Sequence, residues 1–110
     1  MVKVPDRGDF VWLDFNPQAG REQAGRRPGL VLSPKAYNGP TGLCLVVPVT
    51  NRIKGYPFEV QIPPGVSIRG VVLADQIRCL DWRIRNAEIK CEASKDVLDE
   101  VLAKVNVLLA

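Results

Sequence analysis

The sequence predicts a mainly β protein closed by one C-terminal α-helix, and three observations predict it. Short runs rich in β-branched and aromatic residues recur up to about residue 91, each bounded by Gly, Pro, Asn or Asp. The final segment changes period: Val97, Leu98, Val101, Leu102, Val105, Leu108 and Leu109 recur at helical spacing. The chain has 110 residues, 46% of them hydrophobic and 25% charged. That is the size and balance of one globular domain, residues 1–110, able to bury its own core without staples.

Asp9 to Phe15, Asp-Phe-Val-Trp-Leu-Asp-Phe, suits a first strand. Asn16 to Pro28 is polar and aperiodic and reads as a long loop; in a compact domain such loops are usually functional or disordered. Gly29 to Ser33 is a short apolar strand, and Pro34 to Gly42 is turn-rich. Leu43 to Thr50 reads as a buried strand in which Pro48 marks an edge or a bulge. Phe58 to Ile62, Val71 to Leu80 and Ala87 to Cys91 are further strands. Ser94 can N-cap the closing helix, with Asp96 in its first turn near the positive end of the dipole. The broad apolar stripe of that helix is expected to pack on the core, with a dimer contact as the alternative.

Absences narrow the chemistry. The chain has no histidine, which removes Ser-His-Asp triads, histidine zinc sites and histidine-pair ribonuclease chemistry. Cys44, Cys79 and Cys91 are 35 and 12 residues apart, an odd set with no Cys-x-x-Cys pair, so neither a disulfide framework nor a metal cage is expected. No apolar run approaches a membrane span and no signal core follows the N-terminus, so a cytoplasmic protein without a membrane partner is expected.

Charge is unevenly placed. Residues 1–55 hold eight Lys and Arg against four acids, residues 56–110 seven against eight. A basic face built by the first half attracts phosphates. Three polar clusters stand out. Gly20-Arg21-Glu22-Gln23-Ala24-Gly25-Arg26-Arg27-Pro28 puts a carboxylate, an amide and three guanidiniums in seven residues, and Arg26 and Arg27 suit bidentate phosphate contact. Thr50-Asn51-Arg52 with Lys54-Gly55-Tyr56 follows the buried strand, and Asp75-Gln76 interrupts an apolar one. Each cluster taken alone is more often structural than functional.

Taken together, these segments carry a resemblance. Pro5-Asp6-x-Gly8-Asp9, Trp12-x-Asp14-Phe15-x-Pro17, Glu22-Gln23-Ala24-Gly25-x-Arg27-Pro28, Val31-Leu32-Ser33-Pro34, Tyr37-Asn38, Lys54-Gly55-Tyr56-Pro57-Phe58-Glu59-Val60 and Leu73-Ala74-Asp75-Gln76 occur in order, and Lys104 to Leu108 also fits. The sequence resembles the MazF/PemK toxins of bacterial toxin–antitoxin systems nearly end to end. The resemblance implies a small barrel of the Src-homology-3 type with a C-terminal helix, acting as a homodimer. It implies metal- and cofactor-independent cleavage of single-stranded messenger RNA at a short motif, leaving a 2′,3′-cyclic phosphate and a 5′-hydroxyl. It also implies a cognate antitoxin whose acidic, flexible C-terminal segment covers the active groove.

By motif, the family's catalytic arginine and threonine correspond to Arg27 and Thr50, and a frequently implicated loop glutamate to Glu22. Lys54 matches the lysine before Gly-Tyr-Pro. Arg26 stands where relatives can carry histidine, and Asn51-Arg52-Ile53 departs from the small polar run usual there. For RNA binding, Arg21, Arg26, Lys54 and Arg78 are candidate phosphate contacts. Gln23, Gln76 and the backbone up to Gly25 are candidates for reading base edges, and Tyr56 or Trp82 for stacking a base. Some related barrels poison DNA gyrase through an aromatic C-terminus. This chain ends Asn-Val-Leu-Leu-Ala and keeps the arginine and threonine.

Overall fold

A computed structural model describes residues 3–16 and 20–110. Its nine elements follow the chain as β1 (Asp9–Asp14), β2 (Arg26–Val31), α1 (Lys35–Thr41), β3 (Leu43–Thr50), β4 (Glu59–Gln61), β5 (Val71–Leu73), β6 (Arg78–Asp81), β7 (Glu88–Glu92) and α2 (Lys95–Leu109). The strands form one antiparallel sheet in the order β4-β5-β3-β2-β1-β7, with β6 also on β3. The mainly β class with a closing helix is as expected.

The long strand β3 organises the sheet. It pairs β2 along one side, β6 through Leu43 to Val46 on the other, and then β5 through Val49 and Thr50. Pro48 lies inside this central strand rather than at an edge. Its missing N–H falls where β3 passes from β6 to β5, between the last residue paired to one and the first paired to the other.

Successive strand residues face opposite sides, and both sides are covered. Phe10, Leu30, Val47 and Val49 join the core beneath α2, while their neighbours Val11, Val31 and Val46 join a second core with Phe15, Leu80 and Trp82. Two buried faces explain why Leu43 to Thr50 reads as a continuous apolar run.

The expected strand Val71 to Leu80 is two strands with a turn between them. The Gln76 N–H donates to the Leu73 carbonyl at 3.1 Å, so Asp75 and Gln76 lie on a turn. The turn-rich Pro34 to Gly42 contains the short helix α1. It is held by Asn38, fully buried, whose amide donates to the carbonyls of Pro5 and Ser33 and accepts from the Ser33 hydroxyl. Helix α2 starts as expected: the Ser94 hydroxyl accepts the Val97 N–H at 3.2 Å. Val97, Val101 and Val105 are buried, but Val107, Leu108 and Leu109 are exposed. The stripe therefore reaches the core for about two-thirds of the helix, and its last turn projects beyond the sheet it covers. No helix among the described residues is long and apolar enough to cross a membrane.

Candidate active site

The groove of interest lies where β2 and β3 end against the loop before β2. Thr50 closes β3, buried at 7% exposure. Its Oγ1 accepts the Arg52 N–H at 3.2 Å, which leaves the hydroxyl proton to donate elsewhere. Behind it stands Gly70, with φ of +113°. A Cβ at Gly70 would lie 2.2 Å from the Thr50 carbonyl oxygen, so only glycine lets the chain pass so close to Thr50.

Arg27 is in β2, opposite Leu13 of β1, not in the preceding loop. Its Nε donates to the Ala24 carbonyl at 2.7 Å and its Nη1 reaches the Val49 carbonyl at 3.4 Å. Two backbone oxygens thus orient the guanidinium and tie it to the strand that carries Thr50. Among the described residues no carboxylate lies within ion-pair distance of it. Partial burial pushes its pKa below the ordinary arginine value. The result is an oriented, partly desolvated cation whose remaining N–H groups are available.

Arg26, one residue earlier, has a different setting. It pairs across the ladder with Asp14, lies 4.0 Å from the Asp14 carboxylate and 3.8 Å from that of Glu88, and donates to the Asn86 carbonyl. Adjacent strand residues face opposite ways, so the Arg26–Arg27 pair divides between acidic neighbours and groove.

Three hollows meet at this point. One of about 890 Å³ is bordered by Arg21, Glu22, Gln23 and Gly25 of the loop together with Arg27 and Lys54. One of about 400 Å³ is bordered by Tyr56, Asp75 and Gln76 as well as Arg21, Gln23 and Lys54. A third, of about 380 Å³, extends the other way, toward Trp12 and Arg69. Thr50 lines all three. Six basic residues border them against three acids, a balance that favours a polyanion.

The loop is fastened at several points. The Gln23 N–H donates to Gln76 Oε1 at 3.0 Å, and Gly25, at φ +78°, gives its N–H to Asn16 Oδ1 and its carbonyl to the Phe15 N–H. The Gln76 oxygen is therefore occupied, and its amide N–H groups remain as donors. Glu22 and Arg21 are exposed. The backbone N–H groups of Lys54 and Gly55 are held by the Glu59 carboxylate at 3.0 and 3.1 Å. Tyr56 is exposed and donates its phenol proton to Asp75 at 2.8 Å, a bond that pushes its pKa up. Among the described residues no three His, Cys, Asp or Glu side chains are grouped to hold a metal ion.

One sequence-based expectation, that for Trp82, is corrected by position. Trp82 is 2% exposed, with its indole N–H on the Asn38 carbonyl at 2.9 Å, so it is a core residue and no stacking platform. Arg78 does not border the three hollows; its guanidinium donates to the Phe15 carbonyl and lies 6.0 Å over the Phe15 ring. Sequence reasoning missed Trp12, Ser67 and Arg69 on the third hollow, and Gly70 behind Thr50. Only a glycine directly before an apolar strand offered a signal for the last.

Comparison with known proteins agrees with the fold. The family model described as PemK-like, MazF-like toxin of type II toxin–antitoxin system matches residues 6–109. The endoribonuclease toxin MazF of Escherichia coli K12 is 51% identical over 106 residues, covering 96% of this chain and 95% of that protein. A crystal structure of MazF from Deinococcus radiodurans matches with a TM-score of 0.95 and 61% identity, covering 98% of each chain. A MazE–MazF complex from the same organism matches at 0.89 and 61%, covering 98% of this chain and 97% of that one. With its fold and nearly its whole length matched, the chain belongs to the PemK-like, MazF-like toxins of type II toxin–antitoxin systems.

Proposed function

We propose that the protein is an endoribonuclease toxin that cuts single-stranded messenger RNA at a short motif through attack of the substrate's own 2′-hydroxyl. The observation that carries this is the Arg27–Thr50 pair: an oriented, unquenched guanidinium beside a strand-end hydroxyl, at the meeting point of a basic groove. The relatives' names as endoribonucleases support it.

The reaction needs no enzyme nucleophile. The 2′ oxygen attacks the adjacent phosphorus in line, negative charge grows on the non-bridging oxygens, and the 5′ oxygen leaves with a proton. Arg27 stabilises the phosphorane; partial exclusion of water strengthens that interaction. Thr50 donates its free proton to a non-bridging oxygen. With no histidine in the chain, the proton to the leaving oxygen comes from Arg27, whose pKa is lowered in the direction that favours donation. Glu22, on the loop over the same hollow, is the candidate base. Arginine is not a base here, since its ordinary pKa lies above about 12. Arg21 and Lys54 serve phosphates, with Arg26 shared between a phosphate and its acidic neighbours, while Gln23, Gly25, Gln76 and Tyr56 serve bases.

The protein acts as a cytoplasmic homodimer, with the exposed apolar Val107 to Leu109 available to an interface. A cognate MazE-like antitoxin silences it by laying an acidic flexible segment along the groove, as the MazE–MazF assemblies of Deinococcus radiodurans encourage. Cleavage of a long unstructured RNA in excess EDTA tests the reading. Cuts at one short motif, ending in cyclic phosphate and 5′-hydroxyl, are expected. Loss of cleavage in EDTA, or 5′-phosphate ends, would overturn it.

A further inference from the structure

We infer that the third hollow, on the Trp12 side of Thr50, is a subsite for one RNA nucleotide beyond the two that flank the scissile phosphate, with Trp12 under its base and Arg69 at its phosphate. The inference rests on the endoribonuclease reading above and deepens it.

Continuity comes first. This hollow shares Arg27, Thr50 and Asn51 with the 890 Å³ hollow beneath the Glu22 loop, so it is open to a strand that crosses the reactive pair. At about 380 Å³ it lies within the roughly 300–1,000 Å³ typical of small-ligand sites. Trp12, Pro28 and Ile68 supply the apolar part of its lining, which suits the flat face of a base.

The two tryptophans then differ in a telling way. Trp82 is buried and its indole N–H is bonded. Trp12 is only half-buried, and its indole N–H has no partner among the described residues. A tryptophan packed partly against the core, with a free donor, at the edge of a groove suits an amphipathic ligand. Finally, three arginines border the hollow, and Arg27 is already assigned to the reacting phosphate. Arg26 is taken up by Asp14 and Glu88. Arg69 is exposed and makes no ion pair among the described residues. Arg69 is thus the cation on this side that a phosphate meets unopposed.

The test uses RNA centred on the cleaved motif, with a 2′-deoxyribose at the cut, lengthened one nucleotide at a time at each end. One added nucleotide at one end only should raise affinity about tenfold and change tryptophan fluorescence. Arg69→Ala should abolish that gain and reduce the slope of log K against log salt by about 0.7, with an unchanged circular dichroism spectrum. Equal effects of both ends, or a length gain that survives Arg69→Ala, would overturn the subsite with the endoribonuclease reading intact. Loss of binding to an acidic peptide with no change toward either RNA would assign the hollow to a protein partner and overturn it too. Failure of the folded parent protein to cut any RNA would remove the underlying reading, and the subsite with it.

Discussion

Arg27→Ala is expected to lower the cleavage rate by at least about 10²–10³-fold, the loss typical of one charge-stabilising donor, while the protein stays folded. The side chain is partly exposed and makes only two hydrogen bonds, both to carbonyls at the groove. Those carbonyls can turn to water once it is gone, so stability changes little. The rate changes much more, because the guanidinium has no carboxylate partner among the described residues and its charge acts wholly on the substrate. Arg27→Lys is expected to recover only part of the loss. An ammonium keeps the charge but cannot hold the Ala24 and Val49 carbonyls and a phosphate in one planar fork. Rates from single-turnover cleavage, with circular dichroism as the check on folding, decide the matter. Parent-like cleavage by Arg27→Ala would remove Arg27 from the chemistry.

Gly70→Ala is expected to damage both fold and activity. The added Cβ would fall 2.2 Å from the Thr50 carbonyl oxygen and 2.9 Å from its carbonyl carbon, and the backbone sits at φ +113°. Neither contact can be relieved by a side-chain rotation, since both are with backbone. Conformational strain and overpacking together cost about 3 kcal/mol, read as a lowered urea midpoint. The chain can escape only by moving the end of β3, which carries Thr50, so the surviving folded fraction should cut RNA at least about tenfold more slowly, the equivalent of roughly 1.4 kcal/mol of lost transition-state stabilisation. Gly65→Ala is the control. Gly65 also has positive φ, +101°, but nothing lies within 4 Å of its Cβ position. That substitution should cost only about 1–2 kcal/mol and leave cleavage per folded molecule unchanged. Equal effects of the two substitutions would mean that backbone strain alone matters and that the close approach to Thr50 does not.

Much of the fold was legible because burial writes itself into the sequence. β1, β3 and the first turns of α2 bury apolar side chains at strand or helix period, and those were read correctly. The misreadings share a cause: tertiary contacts that composition does not display. Pro34 to Gly42 contains two prolines and two glycines and still forms a helical turn, because buried Asn38 satisfies carbonyls 5 and 33 residues away in sequence. Val71 to Leu80 looks like one strand because its turn, Ala74 to Ile77, supplies only two polar residues. Leu108 and Leu109 keep the helical period but outrun the sheet.

The candidate site was legible in residue type and not in direction. Arg26 and Arg27 looked equivalent while both were assigned to a loop. Starting β2 at Arg26 fixes the parity, so one faces Asp14 and Glu88 and the other faces Thr50. Gln76 is expected as a base contact, and composition gives no sign that its oxygen also anchors the loop through Gln23. Trp12 reads from the sequence only as a strand residue, since nothing in its neighbours tells an indole in the core from one at the rim of a groove.

The most direct test of the central claim, that RNA supplies its own nucleophile to the Arg27–Thr50 site, is cleavage of two oligonucleotides differing in one atom. One is all-ribose across the cleaved motif; the other has a single 2′-deoxyribose on the 5′ side of the cut. Cleavage of the first and none of the second, with both bound at similar affinity, is the expected result. Cleavage of the deoxy oligonucleotide at that position would show that the attacking oxygen is not the 2′-hydroxyl, and would contradict the mechanism.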